Sequence, residues 1–486
     1  MYTLSLHGMY VAQTHKLVIS LDAPCSVSML PPLSDSEPPV LAEWLAAHGA
    51  ELVECVVPDF NGIARGKILT VEKFLASISE GSLYMPESAL LVTVSGEYAK
   101  APIELGDATI DHDVSLVPDP QTARMVPWSQ QKVAQIIHHA ECRDGRPTEL
   151  APREFLRRVL NAYKERGWQP IVAPELEFFL VEQSSQPAEP LRPRAGKLGR
   201  REIGRQTYGI DAIRDFDSVI AEITEYCSLL GIGIDTFSHE SGTAQLEINF
   251  RHGDPLALCD QAFRFKRVAR QAALQCGMYA TFMARPMSDE PGSSMHIHQS
   301  VCDAKTGRNL FVDEKGADSS LFLRHVGGLQ RYLPQVMPLL VPNVNSYRRL
   351  ALRADTPVNT AWGRDNRSCC LRVPLSNTQN RRIENRIPGA DANPYLAVAA
   401  SLVCGYLGMV EQLEPSEPNH DSAYQQPVSL PTTPEEGLQR FASSAPLREF
   451  LGERFVRALL AVRKSELAAY QSVVSSWERE NLLLSL

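Results

Sequence analysis

Four short segments of the chain alternate polar or charged side chains with apolar ones. Glutamates alternate with apolar residues in residues 174–182, and histidines do so in residues 294–300. In residues 245–250 the alternating polar residues are two amides and a glutamate, and in residues 381–386 they are arginines and a glutamate. Successive side chains of a strand point to opposite faces, so each segment predicts a strand with one apolar and one charged face. We therefore expect a sheet whose charged face lines a cavity, and we expect the chemistry there.

Other patterns predict a hairpin and several helices. An Asn61-Gly62 turn separates two apolar runs, which is a strong signal for a β-hairpin. Helical spacing of apolar residues begins at Pro152, and residues 254–276 and most of 450–484 have the same spacing. Strands and helices mixed in this way indicate the α+β class.

The patterns divide the chain into three parts. Residues 1–36 lack sustained periodicity and end in a proline-rich stretch, which predicts a flexible N-terminal tail. Residues 37–149 predict a small α+β domain, and residues 150–486 predict a larger domain in which strands and helices alternate. The chain shows no internal repeat, which argues against a repeat fold.

Bulk composition narrows the classes of protein. The chain has 486 residues, a net charge of −9 and no basic stripe, which argues against nucleic-acid binding. No apolar run reaches the roughly 18 residues that cross a bilayer, and no signal peptide is apparent. We therefore expect no membrane contact and a cytoplasmic location. Ten cysteines without a Cys-x-x-Cys pair indicate reduced thiols.

Acidic and basic side chains near the predicted strands suit metal and phosphate chemistry. Hard divalent cations bind mainly carboxylate oxygens. The candidate metal ligands are Glu175, Glu177, Glu240, Glu247, His296 and Glu384. Guanidinium groups suit phosphate and carboxylate oxygens. The candidate arginines are Arg349, Arg367, Arg372, Arg382 and Arg386. Metal ions beside a transferring phosphoryl group neutralise its charge, so this set indicates phosphoryl transfer.

Each pattern taken alone has a plainer interpretation. A Glu-x-Glu strand is usually a solvated face, and a histidine is commonly a core residue. A zinc hydrolase would also use His-x-His, but the carboxylate-rich surroundings favour harder cations. Residues 62–68 lack the glycine spacing of a phosphate-binding loop, and no Ser or Thr follows Lys67. Any nucleotide must therefore be held by metals and arginines.

In this order, the segments resemble the glutamine synthetase superfamily. The most specific stretches are Asn345-Ser-Tyr-Arg-Arg-Leu350 and Arg382-Ile-Glu-Asn-Arg-Ile-Pro-Gly-Ala-Asp-Ala-Asn-Pro-Tyr395. The resemblance covers nearly everything from about residue 40 onward. The matching stretches are residues 59–67, 118–128, 174–179, 239–249, 292–300, 345–350, 362–374 and 381–396.

The resemblance implies a fold and an assembly. Residues 37–149 would form an N-terminal β-grasp domain, and residues 150–486 a catalytic domain with a curved, mainly antiparallel sheet flanked by helices. Active sites would lie between neighbouring subunits of a homo-oligomer, a dodecamer of two stacked hexamers. Glu87 is a candidate for the acid that a neighbouring small domain would contribute.

The resemblance also implies a role for each site residue. One metal ion, Mg²⁺ or Mn²⁺, would be bound by Glu177, Glu240 and Glu247. A second metal ion would be bound by Glu175, His296 and Glu384. ATP would be approached by His298, Ser300, Arg372 and Arg382. Glutamate would be bound by Gly292, Arg349 and Arg386. The transferring phosphoryl group would be stabilised by Arg367.

The implied reaction phosphorylates the γ-carboxylate of glutamate with ATP, and an amine then displaces phosphate to leave a γ-glutamyl amide. Three positions differ from ammonia-using enzymes. Pro291 replaces an asparagine, and Trp362 replaces a tyrosine and would contact the substrate. The acid Asp355 leaves room for a larger cationic amine that it would help to deprotonate. These positions resemble the γ-glutamylpolyamine synthetase branch, which implies putrescine or a longer polyamine as substrate.

Three other functions stay open at this point. A glutamine synthetase that uses ammonium, or a ligase for a monoamine such as ethanolamine, would share all the site residues. A non-catalytic family member would tend to lose metal ligands, whereas all six are present here. Clustered acids repel one another unless a cation lies among them, which favours an enzyme.

Overall fold

Two β-sheets and the helices around them make up the part of the protein that the structure, a computed structural model, describes. The described residues are 38–99, 111–184, 186, 189–202, 204–352 and 356–485. The predicted tail at 1–36 and the candidate Asp355 lie outside them. Residues Glu37–Leu486 form one compact unit.

Fourteen strands occur within the described residues. They are β1 (Leu52–Pro58), β2 (Ala64–Thr70), β3 (Tyr84–Pro86), β4 (Asp113–Pro118), β5 (Arg124–Met125), β6 (Val133–Glu141), β7 (Trp168–Glu182), β8 (Ile234–His239), β9 (Gln245–Phe250), β10 (Met278–Thr281), β11 (Met295–Asp303), β12 (Trp362–Arg364), β13 (Leu371–Val373) and β14 (Ile383–Asn385).

Helices follow or separate these strands. The α-helices are Pro38–Ala47, Val71–Ser79, Pro152–Glu165, Ile210–Arg214, Asp217–Leu230, Pro255–Gln275, Ser320–Tyr332, Met337–Leu340, Val344–Leu350, Pro394–Glu411, Pro434–Ser443, Ala445–Leu451, Glu453–Gln471 and Ser476–Leu482. Short 3₁₀ helices are Glu87–Leu91, Pro120–Thr122, Leu333–Gln335 and Ala423–Gln425. The helices predicted at 152, over 254–276 and within 450–484 are confirmed.

The smaller sheet contains the predicted hairpin. Its strands run in the order β2-β1-β6-β4-β3, with β5 also paired to β6. β1 and β2 are antiparallel, and Gly62 in the turn between them has a φ of 71°, a conformation that glycine adopts without strain. Strand β1 pairs with β6 in parallel. The assignment of this region to a β-grasp domain, and the predicted domain boundaries, stay predictions.

The larger sheet has the order β12-β13-β14-β11-β7-β9-β8, with β10 also paired to β7. All its pairings are antiparallel except that of β12 with β13. Strand β7 is 15 residues long and contacts three other strands. Helix Pro255–Gln275 packs against the apolar face, where Phe265 lies edge-on to Phe178. The predicted α+β class, with a mainly antiparallel sheet flanked by helices, is confirmed.

Among the described residues, one helix, Pro394–Glu411, has the length and apolarity to cross a bilayer, but 83% of it is buried inside the protein. It crosses helix Ser320–Tyr332 at two glycines. A Cβ at Gly328 would overlap the Cys404 carbonyl group, and one at Gly408 would overlap Gly328. The apolar residues of this helix therefore serve close packing in the core.

Candidate active site

The charged residues of the large sheet form a ladder across adjacent strands. The directly paired residues are Arg372 with Glu384, Glu384 with His298, His296 with Glu175, and Glu177 with Glu247. Paired residues of neighbouring strands lie on the same face, and residues two apart along a strand also share a face. The faces predicted from alternation in the sequence are therefore the ones that the structure assembles.

Glu175 lies at the centre of this ladder. Its Oε1 is 2.7 Å from Nε2 of His298, and its Oε2 is 3.5 Å from Nδ1 of His296. The same Nδ1 is 3.4 Å from Oε1 of Glu384. Among the described residues, two sets of three side chains each place one possible ligand atom per residue within 4.8 Å of the others in the same set, and Glu175 belongs to both sets. The two sets are Glu175, Glu247 and His296, and Glu175, His298 and Glu384.

These sets differ from the predicted division between two metal ions. Glu177 belongs to neither, and its carboxylate accepts hydrogen bonds from the backbone N–H of Ser294 at 2.8 Å and from the Ser294 hydroxyl at 2.6 Å. Glu240 follows the last residue of β8 and also belongs to neither set. The donors are mainly carboxylates with two imidazoles, a combination that fits Mg²⁺ or Mn²⁺.

The acids fall into two electrostatic groups. Burial raises the pKa of Glu247 to about 10, and repulsion from Glu175 and Glu177 adds to the effect. Burial also raises the pKa of Glu240 to about 7, again with repulsion from Glu177. Burial would raise the pKa of Glu384 too, but the nearby Arg386 and His296 bring it down to about 2. A bound cation would relieve the repulsion on the first group.

Arginines surround the Glu384 end of the ladder. Nη1 of Arg372 donates to Oε2 of Glu384 at 2.9 Å, and Nη1 of Arg386 donates to Oε1 at 2.6 Å. Nε of Arg382 donates to Nδ1 of His298 at 3.2 Å. Ser300 lies two residues beyond His298 on β11 and shares its face. The four predicted nucleotide contacts therefore lie together on one part of the sheet.

The three predicted glutamate contacts also lie together. Arg349 is buried and donates to the carbonyl groups of Ile387 at 2.7 Å and Arg386 at 3.0 Å. A Cβ at Gly292 would overlap the Arg349 side chain. Gln245 donates to the Gly292 carbonyl group at 3.0 Å. Glycine at position 292 thus lets the backbone approach the arginine closely.

Trp362, a predicted substrate contact, lies on the opposite face of the sheet from the ladder. Trp362 pairs with Leu371, whereas its neighbour Gly363 pairs with Arg372, so the tryptophan points to the opposite face. There it packs edge-on against Phe322 of helix Ser320–Tyr332. The structure therefore does not bring Trp362 to the charged face, where its substrate contact was predicted.

Two further candidates have distinct surroundings. The carboxylate of Glu87 accepts hydrogen bonds from both terminal nitrogens of Arg454, at 2.9 and 2.5 Å, and from the hydroxyl group of Thr148. Within this chain it is therefore an ion-paired acid. Arg367 is exposed. The pKa of Tyr208 is raised by burial and by the charges of Glu240 and Glu247, and the positive charge of Arg367 offsets part of this rise.

Tyr208 is a residue that the sequence did not single out. Burial and the charges of Glu240 and Glu247 raise its pKa, and its backbone N–H donates to the carbonyl group of His239, the residue before Glu240, at 2.9 Å. It has a φ of 58°, which is uncommon for a residue other than glycine. Tyr208 lies in an irregular segment, where no hydrophobic periodicity marks individual positions. Only its spatial neighbours identify it.

Comparisons with known proteins agree with this geometry. The family model described as glutamine synthetase, catalytic domain, matches residues 149–482. A γ-glutamylputrescine synthetase of Escherichia coli (strain K12) is 33% identical over 436 residues, which are 89% of this chain and 92% of that protein. A γ-glutamylethanolamide synthetase of Streptomyces coelicolor is 32% identical over 92% of this chain and 96% of that protein.

A solved structure extends the agreement to three dimensions. The structure described as apo GmaS without ligand has a TM-score of 0.77 and 27% sequence identity, and the match covers 91% of this chain and 99% of that chain. The matched domain model spans more than half of the 486 residues. The chain therefore belongs to the glutamine synthetase family and is an ATP-dependent carbon–nitrogen ligase.

Proposed function

We propose that the enzyme joins the γ-carboxylate of L-glutamate to putrescine or a longer polyamine. The reaction would pass through γ-glutamyl phosphate and release ADP and phosphate. The observation that carries this proposal is the ladder of acids, histidines and arginines across β13, β14, β11, β7 and β9. The proposed nucleotide contacts lie at one end of this ladder, and the mutually repelling acids lie at the other. The first end suits phosphorylation of glutamate by ATP, and the second suits metal binding beside the reacting groups.

The first half activates a carboxylate, which is a poor acyl donor. In our proposal, Arg372 and Arg382 hold the phosphates of ATP together with His298 and Ser300, and the exposed Arg367 stabilises the transferring phosphoryl group. Guanidinium groups suit this task because they donate in a planar fork and stay charged. Two or more Mg²⁺ or Mn²⁺ ions, bound by the six predicted ligands, would neutralise the charge that develops on the phosphoryl oxygens.

The same arrangement supports binding of glutamate beside the nucleotide. Arg349 and Arg386 are buried near Gly292, and buried guanidinium groups attract the carboxylates of an amino-acid substrate. The γ-carboxylate would then attack the terminal phosphorus atom of ATP. Glycine at position 292 lets the backbone lie close to Arg349, because any side chain there would overlap the arginine.

The second half requires a cationic amine to approach and lose a proton. Glu240 and Glu247 have raised pKa values, since burial and neighbouring acids disfavour their charged forms. In our proposal these two acids bind a metal ion, whose charge would offset their repulsion, and they do not themselves select the amine. We assign deprotonation of the amine to Asp355. The name of the Escherichia coli relative, γ-glutamylputrescine synthetase, supports a diamine as the substrate.

Phosphate release by the purified enzyme tests this proposal. The assay contains glutamate, ATP and Mg²⁺ with ammonium, ethanolamine, isopropylamine, putrescine, cadaverine or spermidine, and mass spectrometry identifies the amide. We expect turnover with the diamines and polyamines at kcat/KM values well above those for the other amines. Preference for ammonium would make the protein a glutamine synthetase, and preference for a monoamine would reject the polyamine assignment.

The assembly and the location are also proposals. We propose a dodecamer of two stacked hexamers in the cytoplasm, as the resemblance implies. Mass photometry tests the stoichiometry, since twelve copies of a 53.8 kDa chain differ clearly from six. A hexamer or a smaller species at assay concentrations would contradict the stacked arrangement.

A further inference from the structure

A buried carboxylate outside the metal-binding strands joins two segments at the edge of the site. We propose that Glu202 is a positioning residue, which fastens the loop that carries Tyr208 to the turn that carries Glu240 and thereby shapes the amine side of the active site. The inference rests on the function proposed above for the amine, and it names the group that controls access at that side.

Both oxygens of Glu202 contact the segment that follows β8. Oε2 accepts the backbone N–H of Ala244 at 2.7 Å, and Oε1 lies 2.8 Å from Nε2 of His239. The Glu202 side chain is only 7% exposed although it belongs to a loop. A buried carboxylate is held in place by such partners, because an unpaired one would be very costly.

His239 passes this restraint on to both neighbours. Its side chain is fully buried, and its Nδ1 lies 2.8 Å from the backbone carbonyl oxygen of Glu240. The backbone carbonyl group of His239 accepts the N–H of Tyr208 at 2.9 Å. The ring also stacks near Phe216, at 6.5 Å between centroids. His239 therefore links Glu202 to the backbone of Glu240 through its imidazole, and to the tyrosine loop through its own backbone carbonyl group.

Backbone strain lies at both joined segments. Tyr208 has a φ of 58° and Ala244 a φ of 55°, and each is a left-handed conformation in a residue that carries a Cβ. Such a conformation is strained and persists only where the surroundings hold it. The contact from Glu202 to the Ala244 N–H, and the contact from Tyr208 to His239, supply that restraint.

The position of these segments in the sheet predicts which substrate is affected. Glu240 follows the last residue of β8 and Tyr208 bonds to that residue, whereas the proposed nucleotide contacts lie on β11 and β13 and just before β14. The 240–244 turn is also held from the glutamate side, since Glu290 accepts the N–H of Thr243 at 3.1 Å. Loosening the turn should therefore change amine and metal binding and leave ATP binding unchanged.

The test uses Glu202→Gln in the full-length enzyme. Putrescine is the amine probe, and Mn²⁺ binding is measured by calorimetry without substrates. Partners that orient a metal ligand change affinity or activity by about 10- to 100-fold. We expect the KM for putrescine to rise by about tenfold or more and Mn²⁺ to bind about tenfold more weakly, while the KM for ATP stays within about twofold.

Glu436→Gln is the matched control. Glu436 also accepts a backbone N–H, from Thr432 at 2.9 Å, and pairs with a cation, Arg440 at 2.6 Å. Its substitution should leave all three values unchanged. Should Glu202→Gln fail to fold, Glu202→Asp, which keeps the charge but shortens the side chain, takes its place and should shift the same two values.

Two outcomes would overturn the inference. One is an unchanged KM for putrescine together with unchanged Mn²⁺ binding. The other is an equal loss for all substrates with a lower melting temperature, since that result describes a purely structural ion pair. Failure of the wild-type enzyme to use any amine would reject the proposed function instead, and the Mn²⁺ comparison would still test the role of Glu202.

Discussion

The two faces of the large sheet have the same strands but opposite chemistry. On one face, acids, histidines and arginines meet across neighbouring strands, and several acids have raised pKa values. On the other face the side chains are apolar and almost fully buried. They include Leu176, Phe178, Leu246, Ile248 and Ile297. Alternation along each strand makes this division possible without any change of backbone.

The difference separates the sources of stability and activity. Burial of apolar side chains stabilises the fold, whereas like charges gathered on a buried face destabilise it until a cation or substrate arrives. We therefore expect changes on the charged face to affect activity first. Changes on the apolar side should affect the free energy of unfolding first.

The largest expected effect is that of Glu247→Gln on the charged face. The change removes a candidate metal ligand, so kcat/KM should fall by at least about 100-fold. With a pKa of about 10, Glu247 is protonated in the metal-free protein at neutral pH, and glutamine has nearly the same shape as the protonated acid, so the melting temperature of the metal-free protein should not fall. Steady-state kinetics and thermal unfolding measure both. Asp235→Asn is the control, since Asp235 is an exposed acid on the neighbouring strand β8, and it should have no effect. Full activity of Glu247→Gln would contradict the division of the sheet into a face for activity and a face for stability.

Gly408→Ala tests the apolar side. The added Cβ would overlap Gly328 where the two helices cross, and overpacking of this kind costs about 1–3 kcal/mol. We expect a lower free energy of unfolding in urea and an unchanged kcat per folded molecule. Gly253→Ala is the control, since its Cβ would have only ordinary contact with Leu258. A selective loss of activity at Gly408 would show that the two sides are coupled.

A buried lysine on the helix that covers the apolar face gives a pH signature. Burial lowers the pKa of Lys266 to about 7, and its Nζ donates to the Ala392 carbonyl group at 2.7 Å. The unfolded chain therefore holds more protons than the folded chain above pH 7. Stability should rise with pH there, by about 1 kcal/mol from pH 7 to pH 8.

Urea unfolding at these two pH values, for wild type and Lys266→Met, measures this contribution. The variant should lack that part of the rise. Equal pH dependence in the two proteins would show that Lys266 keeps its ordinary pKa.

The smallest expected effect is that of Glu87→Gln. Glu87 is paired with Arg454 in the same chain, so the change should lower stability by about 1 kcal/mol and leave the KM for the amine unchanged. Chemical unfolding and amine kinetics report the two quantities. An increase in the amine KM at constant stability would instead place Glu87 at a neighbouring subunit's site, as the resemblance suggested.

Much of the site was accessible to sequence reasoning because it lies on strands. The alternation in residues 174–182 and 294–300 gave the correct faces for Glu175, Glu177 and the two histidines, since side-chain direction on a strand depends only on position parity. Trp362 lies outside the reach of this reasoning, since its predicted substrate contact came from the resemblance and not from alternation along a strand. Strand β12 has three residues, and its parallel pairing with β13 decides which of them faces the ladder.

The sequence by itself determined the family, the α+β class and the apolar and charged faces of the central strands, because these depend on local periodicity and on ordered motifs. Only the tertiary structure decided that Glu175 belongs to two donor sets and that Glu177 bonds to Ser294. It alone joined Glu202 to His239, 37 positions away in the printed sequence. Contacts between such distant residues depend on strand register and loop packing, which no local pattern encodes.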